Sequence, residues 1–479
     1  MHSRSDSQPR PHKAWTLTVA GLAAFMTALD TLVVTTALPV LRADLHASLS
    51  GLEWTVNAYN LAFACLLLTG AALGDRFGRR RMLAIGLFAF TAASAASAVS
   101  PSVQALVIAR ALQGAGAAVV TPLTLTLISE AFPQDKRGAA IGLWGGIVGL
   151  AVAAGPVVGG AVVGGIDWHW IFWLNVPIGL ALIPAARSRL TESRGPRPQL
   201  DLGGLVLAAA GALGLTWGLV RANTVGWTSA EVLAALVAGS AFVVAFVVWE
   251  RRAEHPMIAP ALFRAPGFAA ANGVSFFMYA GLFGALFLMS QLLQTALGYS
   301  PLQAGIRLLP WTLPPMIIAP VAGTLADRFG NRPFMILGLA LQAAGFAWIA
   351  SVATAGVGYL QLGAAFTIAG VGTSFCFPTV ANAIMSSIPI QDAGVASGTN
   401  SAIRELGGVV GVAVLASVFI HHGGYTNPHA FIAGFTPAVW VAVGLSGLGI
   451  IAATLTADRA QPQHDHTVTA AAAPQTQAA

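Results

Sequence analysis

Few residues of this chain can do chemistry away from water, and two of them share a depth. Asp30 is the one acidic residue that falls well inside a long apolar stretch. A carboxylate there is costly unless it is protonated, paired or hydrated, and by default it is a candidate for carrying a proton or holding a cation. The plainer alternative is a structural carboxylate that snorkels or is hydrogen-bonded. Counted from Leu38, Asp30 lies roughly 12 Å below the end of its stretch. Arg110 enters another stretch from the same side and reaches about that depth. A neighbouring guanidinium favours the charged carboxyl, whereas desolvation favours the neutral one. A site balanced between the two loads and releases a proton as water access changes. The competing reading is a static ion pair that fixes helix packing. Gln113 and Gly114 follow one turn along the same face. Gln113 could hydrogen-bond Arg110 or a substrate, and Gly114 suits close packing.

A second kind of chemistry is repeated. Ala71 to Leu83 is a charged loop holding Asp75, Arg76, Gly78, Arg79, Arg80 and Arg81, and a near copy at Gly323 to Phe334 holds Asp327 and Arg328. The arginines cannot enter lipid cheaply and hold this end of their helices at the cytoplasmic face. Gly78 permits a turn, and Asp75 is expected at the start of the following helix, where the dipole favours an anion. One loop used twice implies two related halves. Elsewhere, Gly155, Pro156, Gly159 and Gly160 combine a missing backbone donor with small residues four apart, which gives a bent, closely packed helix. Asn57 and Asn60 share a helix face and could line a cavity, as could Phe276. Arg307 suits snorkelling to the outer surface better than substrate contact. Arg404 and Glu405 are expected to head a helix and to pair with cytoplasmic loops. His421, His422 and His429 fall in an outer loop with no carboxylate or cysteine to complete a metal site.

The elements that must position these residues follow from composition. The 479 residues are 56% hydrophobic and 9% charged, against roughly 25% charged in a soluble domain. That excludes a soluble fold and predicts an all-α polytopic membrane protein. The net charge of +6 belongs to short loops facing an anionic leaflet and does not indicate nucleic acid. Cys65 and Cys376 both lie in apolar runs, so no disulfide framework is implied. Fourteen stretches approach the roughly 20 residues needed to span a bilayer: 15–38, 52–73, 82–99, 103–127, 138–163, 168–187, 202–220, 230–249, 268–293, 304–325, 333–353, 358–387, 400–420 and 433–456. With the N-terminus inside, the inner segments hold nearly all the basic residues and the outer ones only Arg42 and Arg221. That asymmetry fits the positive-inside rule, and an odd helix count would destroy it. The organisation expected is a cytoplasmic tail 1–14, a six-helix bundle 15–187, a linker 188–201, an extra helix pair 202–249 peripheral to the mechanism, a linker 250–267, a second bundle 268–456 and a disordered cytoplasmic tail 457–479.

At this point a resemblance becomes specific. The loop at Asp75 resembles the signature of the major facilitator superfamily, with Ala71 in place of its leading glycine; the second copy keeps Gly323. The run from Leu106 to Ala118, with Arg110, Gln113 and Gly114, is similar to the fourth-helix motif. Gly142 to Gly160 resembles the fifth-helix antiporter motif, departing from it at Ala151. Leu29 to Pro39, Trp168 to Gly179 and Leu297 to Pro301 resemble the fourteen-helix drug:proton antiporters, the EmrB/QacA-type multidrug exporters. The resemblance implies a major facilitator fold with alternating access, export from the cytoplasm across a bacterial cytoplasmic membrane, and an antiport role for the helix-five glycines. The cytoplasmic loops would latch when the protein faces out. Lipophilic and cationic drugs suit an apolar cavity with a single buried acid. No phosphate-cradling G-x-x-x-x-G-K-[ST] loop and no hydrolase motif is present, so transport is expected to be driven by an ion gradient or by the substrate's own gradient, with no cofactor and no enzyme activity; a monomer is expected. A same-fold importer or facilitator, and a membrane sensor without transport, are the alternatives.

Overall fold

A computed structural model describes residues 13–195, 201–254, 256, 260–388 and 393–456. The expected tails, apart from Lys13 and Ala14, which begin the first helix, and parts of both linkers with Arg197, lie outside the described residues. Fourteen helices are long and apolar enough to cross a membrane. They are α1 Lys13–Asp44, α2 Leu49–Phe77, α3 Arg79–Ala98, α4 Val103–Ala131, α5 Ala140–Gly165, α6 Trp170–Arg189, α7 Leu202–Ala222, α8 Ala230–Glu250, α9 Gly267–Ala296, α10 Pro301–Ala326, α11 Asn331–Val352, α12 Tyr359–Ser386, α13 Val395–His422 and α14 Pro428–Thr454. No strand occurs among the described residues. Helices are what lipid permits, because every backbone polar group finds its partner within the segment.

Two expected boundaries move, and both matter. The helix expected from 400 already includes Val395, because its polar start is packed rather than solvated. Thr399 is buried, and Asn400 Nδ2 donates to Asn272 Oδ1 (3.1 Å) and Ser275 Oγ (2.7 Å) on α9. A Cβ on Gly398 would lie 2.3 Å from the Leu68 side chain of α2. Glu405 therefore stands about 15 Å inside α13, not at its head, and Asp30 is not the only deep acid. The helix expected from 52 starts at Leu49, capped by the Ser48 hydroxyl on Gly51 N–H (3.2 Å). That brings Glu53, fully buried, into the outer end of α2. His421 and His422 close α13 and are not in a loop.

Helices α1–α6 and α9–α14 form two bundles that meet along α2–α13 and α5–α10. α7 packs on α8 and also lies on α2 and α13, where Trp217 meets Trp54 at 5.9 Å. The extra pair thus covers one of the two seams.

The core shows which way the protein faces. At the outer end one apolar cluster runs through both bundles, from Leu38 and Trp168 to Phe287, Leu293, Phe419 and Phe431. At the cytoplasmic end each bundle keeps its own cluster, around Leu83, Leu127 and Leu182 in one and Phe268, Met335 and Ile384 in the other. The α5–α10 seam repeats this. A Cβ on Gly160 would come within 2.3 Å of Pro301 O, and one on Gly305 within 2.1 Å of Pro156 O. Towards the cytoplasm nothing lies within 4 Å of the same position on Gly142, Gly145, Gly146 or Gly149. The structure is shut outside and open inside. Polar contacts reinforce the outer seal. Gln294, on a π-helical turn ending α9, donates from Nε2 to Thr36 O (2.9 Å). The Arg42 guanidinium lies 3.8 Å over the ring of Tyr425, whose hydroxyl bonds Gln291.

The topology is testable with single cysteines in a chain whose Cys65 and Cys376 are replaced by alanine. Arg194→Cys should resist an impermeant maleimide in intact cells, and Trp227→Cys should be labelled. External labelling at 194 would break the arrangement.

Candidate functional site

The expected pair is present and sealed. Asp30 is 2% exposed and Arg110 1%. Arg110 Nη1 donates to Asp30 Oδ2 (2.5 Å) and to Gln113 Oε1 (2.8 Å), and its Nε to Thr55 O (3.3 Å). Asp30 Oδ1 accepts from Gln113 Nε2 (2.8 Å) and from Asn175 Nδ2 (2.7 Å). Ser94 Oγ accepts from both of these amides, at 3.2 and 3.0 Å, and donates to Phe172 O (2.9 Å). The guanidinium lies 4.2 Å from the ring centre of Tyr59 and 5.8 Å from that of Phe172. A Cβ on Gly114 would sit 2.3 Å from Tyr59 O, so this glycine lets α2 approach α4 closely enough to place the tyrosine.

Four helices, α1, α3, α4 and α6, thus close a cage around one carboxylate. Buried ion pairs persist only when further hydrogen bonds satisfy their remaining positions, and here both oxygens are engaged. Oδ1 takes two donors and Oδ2 one, so the carboxylate ties α1 to α4 and α6. Asn175 and Ser94 were not singled out by sequence as site residues; the signals for Asn175 were its place in the family-like run Trp168 to Gly179 and an amide in an otherwise apolar stretch. The second bundle has an uncharged counterpart. Gln342 of α11 donates to Ser446 Oγ of α14 (3.2 Å) and Met278 O of α9 (3.3 Å), and accepts from Thr373 of α12 (3.2 Å).

The charged loop is organised within the first bundle. Asp75 sits in the last turn of α2 and not at the start of α3 as expected, because the chain turns at Gly78, with φ 102°. Its carboxylate holds Arg79, at 2.7 and 2.9 Å, which offsets the unfavourable dipole at a helix C-terminus. Arg79 also pairs with Glu130 at the end of α4. The segment after α6 braces the loop. Glu192 accepts from the N–H groups of Arg80 (2.9 Å) and Arg81 (3.2 Å), and Gly195 N–H donates to Asp75 O (3.2 Å). Arg76 lies over Phe77 at 5.3 Å. In the second copy Gly330 makes the same turn, with φ 90°, and Arg328 lies over Phe329. The side chain of Asp327 lies outside the described residues.

The remaining candidates cluster on the seams. A Cβ on Gly155 would lie 2.6 Å from Leu32, and one on Gly159 2.2 Å from Thr36 Oγ1, both on α1. With Gly160 and Pro156 against α10, this motif joins α5 to its own bundle on one face and to the other bundle on the next. Asn57 is wholly buried and neither of its amide atoms has a hydrogen-bond partner; Asn60 Nδ2 has none either. Phe276 is half-buried on α9, its carbonyl against Gly407. Glu405 is buried beside Arg404 Nη2 (3.4 Å), and that guanidinium lies 4.9 Å from the Tyr279 ring. Arg307 is half-buried near the outer end of α10, over Tyr299.

The family model described as Major Facilitator Superfamily matches residues 20–271 and again 271–476. The chain is 35% identical over 427 residues to the "Tetracenomycin C resistance and export protein" of Streptomyces glaucescens, covering 88% of this chain and 79% of that one. It is 35% identical over 455 residues to the "Multidrug efflux pump LfrA" of Mycolicibacterium smegmatis, covering 93% and 89%. Among solved structures, a peptide-bound POT family transporter superposes with a TM-score of 0.69 at 13% identity, covering 92% of this chain and 96% of that one. That likeness shows the fold alone.

Removing one amide should expose the logic of the cage. Asn175→Ala leaves Asp30 Oδ1 one donor short, a loss of about 1–3 kcal/mol for a buried acceptor. The purified variant should melt measurably earlier, whereas Asn57→Ala, which removes an amide with no hydrogen bond here, should not. Equal melting temperatures for Asn175→Ala and the parent would show that the amide does not support the carboxylate.

Proposed function

The chain belongs to the major facilitator superfamily, and from that premise we propose that it exports lipophilic drugs or antibiotics in exchange for protons. The observation that carries the reading is the Asp30 cage, a titratable carboxylate on α1 held by a guanidinium and two amides from α4 and α6. Relatives named for drug and antibiotic export support the class of cargo. Cargo enters from the cytoplasm or inner leaflet through the opening between α5 and α10. A proton from outside reaches Asp30 when the outer seal opens, displaces the hold of Arg110, and leaves to the cytoplasm when the chain faces inward again. The second acid, Glu405, gives a positively charged cargo an attractive partner, tempered by Arg404. Asn57 offers an unpaired amide, and Asn60 an unpaired Nδ2, on α2. Both bundles and both seams lie in one polypeptide, which suits a monomer in the cytoplasmic membrane. In the outward-facing state the loops at Asp75 and Asp327 close the inner side.

Asp30→Asn keeps the shape of the cage but cannot titrate. In inverted vesicles with an imposed pH gradient it should fail to concentrate a fluorescent lipophilic cation, yet still exchange it downhill. Accumulation against the gradient by Asp30→Asn would remove Asp30 from the mechanism. A static pair predicts a different pattern, in which Arg110→Ala and Asp30→Asn both misfold and the double variant recovers transport.

Glu405→Gln should weaken a cationic cargo by about tenfold or more and leave a neutral one nearly unchanged, read as the two KM values. Equal effects on both cargoes would exclude Glu405 as the charge partner.

A further inference from the structure

On the membrane-facing side of the second bundle, α10 and α12 leave an apolar cavity of about 450 Å³. Ile306, Leu309, Leu313 and Ile317 line it from α10, and Thr367 and Val371 from α12. It runs from the outer end of both helices towards the middle of the membrane, over roughly 15 Å of helix. Ile306, Leu313 and Ile317 are exposed, so the groove opens towards lipid.

Its mouth is built differently from its floor. Arg307 lies at the outer end, its guanidinium 3.9 Å from the ring centre of Tyr299 and 5.1 Å from that of Tyr359. Tyr359 also lines the cavity, and its hydroxyl donates to Arg307 O (3.1 Å). The guanidinium donates once, from Nη1 to Gln303 O at 3.4 Å, and its Nε has no partner. No carboxylate pairs with it among the described residues. Two rings hold the cation at the outer edge of the bilayer, above a channel that would accept a hydrocarbon chain. A guanidinium presents several donors in a planar fork that suits phosphate, and Tyr rings belong at the headgroup level.

We propose that this groove is a binding site for an anionic phospholipid of the outer leaflet. Its phosphate is held by Arg307 and one acyl chain lies between α10 and α12. The site is separate from the Asp30 cage and from the α5–α10 opening. It clamps α10 to α12, so an occupied groove stiffens the outer part of the second bundle. The proposal does not depend on which cargo is exported.

The test uses the full chain purified in detergent, with its melting followed by tryptophan fluorescence. Dioleoyl phosphatidylglycerol should raise the melting temperature and bind more tightly than dioleoyl phosphatidylcholine, by about fivefold for one arginine at a membrane surface. Glycerol 3-phosphate, the headgroup chemistry without chains, should give no shift. Arg307→Gln should bring phosphatidylglycerol down to the level of phosphatidylcholine, and Arg307→Lys should keep most of the preference. Thr367→Trp, which fills the groove, should weaken both lipids. Native mass spectrometry of bound lipid provides a second readout for any variant that melts too early to titrate. Equal binding of the two lipids by the parent chain, full phosphatidylglycerol preference in Arg307→Gln, or a full shift with glycerol 3-phosphate alone would overturn the proposal.

Discussion

A single carboxylate held out of water constrains most of the first bundle. In lipid, an unpaired charge costs several kcal/mol or more, so the fold must bring a guanidinium and two amides to Asp30 from α4 and α6. That requirement explains local details that otherwise look unrelated. Gly114 lets α2 close on α4 so that Tyr59 can lie against Arg110. Ser94 exists in the cage to orient two amides, and its own proton goes to a carbonyl of α6. The corresponding corners of the second bundle carry Gln342, Thr373 and Ser446, joined by neutral hydrogen bonds. The two halves share an architecture, but only one of these two cages can change its charge.

The sequence made the fold legible because lipid allows so few solutions. Apolar length gave the number of spans, and the arginines of the loops gave their direction. Asp30 and Arg110 were visible as a pair because depth along a helix can be counted residue by residue. What stayed hidden was whatever depended on neighbours. Asn175 is one uncharged amide without periodicity, and only the path of α6 past α1 makes it a ligand. Gly398, Thr399 and Asn400 have the composition of a loop, yet they pack into α2 and α9 as helix. The same misreading put Glu405 at a helix end. Asp75 went to the wrong helix because an acid beside a turn suits an N-terminus by composition, whereas the turn is made by Gly78.

The glycines of α5 belong to both problems. Gly155 and Gly159 press against α1, the helix of Asp30, while Gly160 presses against α10 across the outer seam. Any shift of α1 that accompanies a change in the cage is passed to a surface with no side chains to yield. Small residues make this crossing stiff by removing the slack between backbones. In the proposed exchange, this crossing joins the helix of the carboxylate to the contact that keeps the outer side shut.

The inserted pair has a consequence for how a greasy molecule meets this protein. α7 lies on α2 and α13 and, with Trp217 against Trp54, caps that seam from the membrane side. Among the described residues the other seam has no such cover, and on its inner half the α5 face is bare glycine with nothing within 4 Å. A solute dissolved in the inner leaflet therefore finds a wall on one flank and a doorway on the other. For the proposed export this geometry makes approach one-sided, with α5 and α10 the first helices that cargo from the inner leaflet would meet.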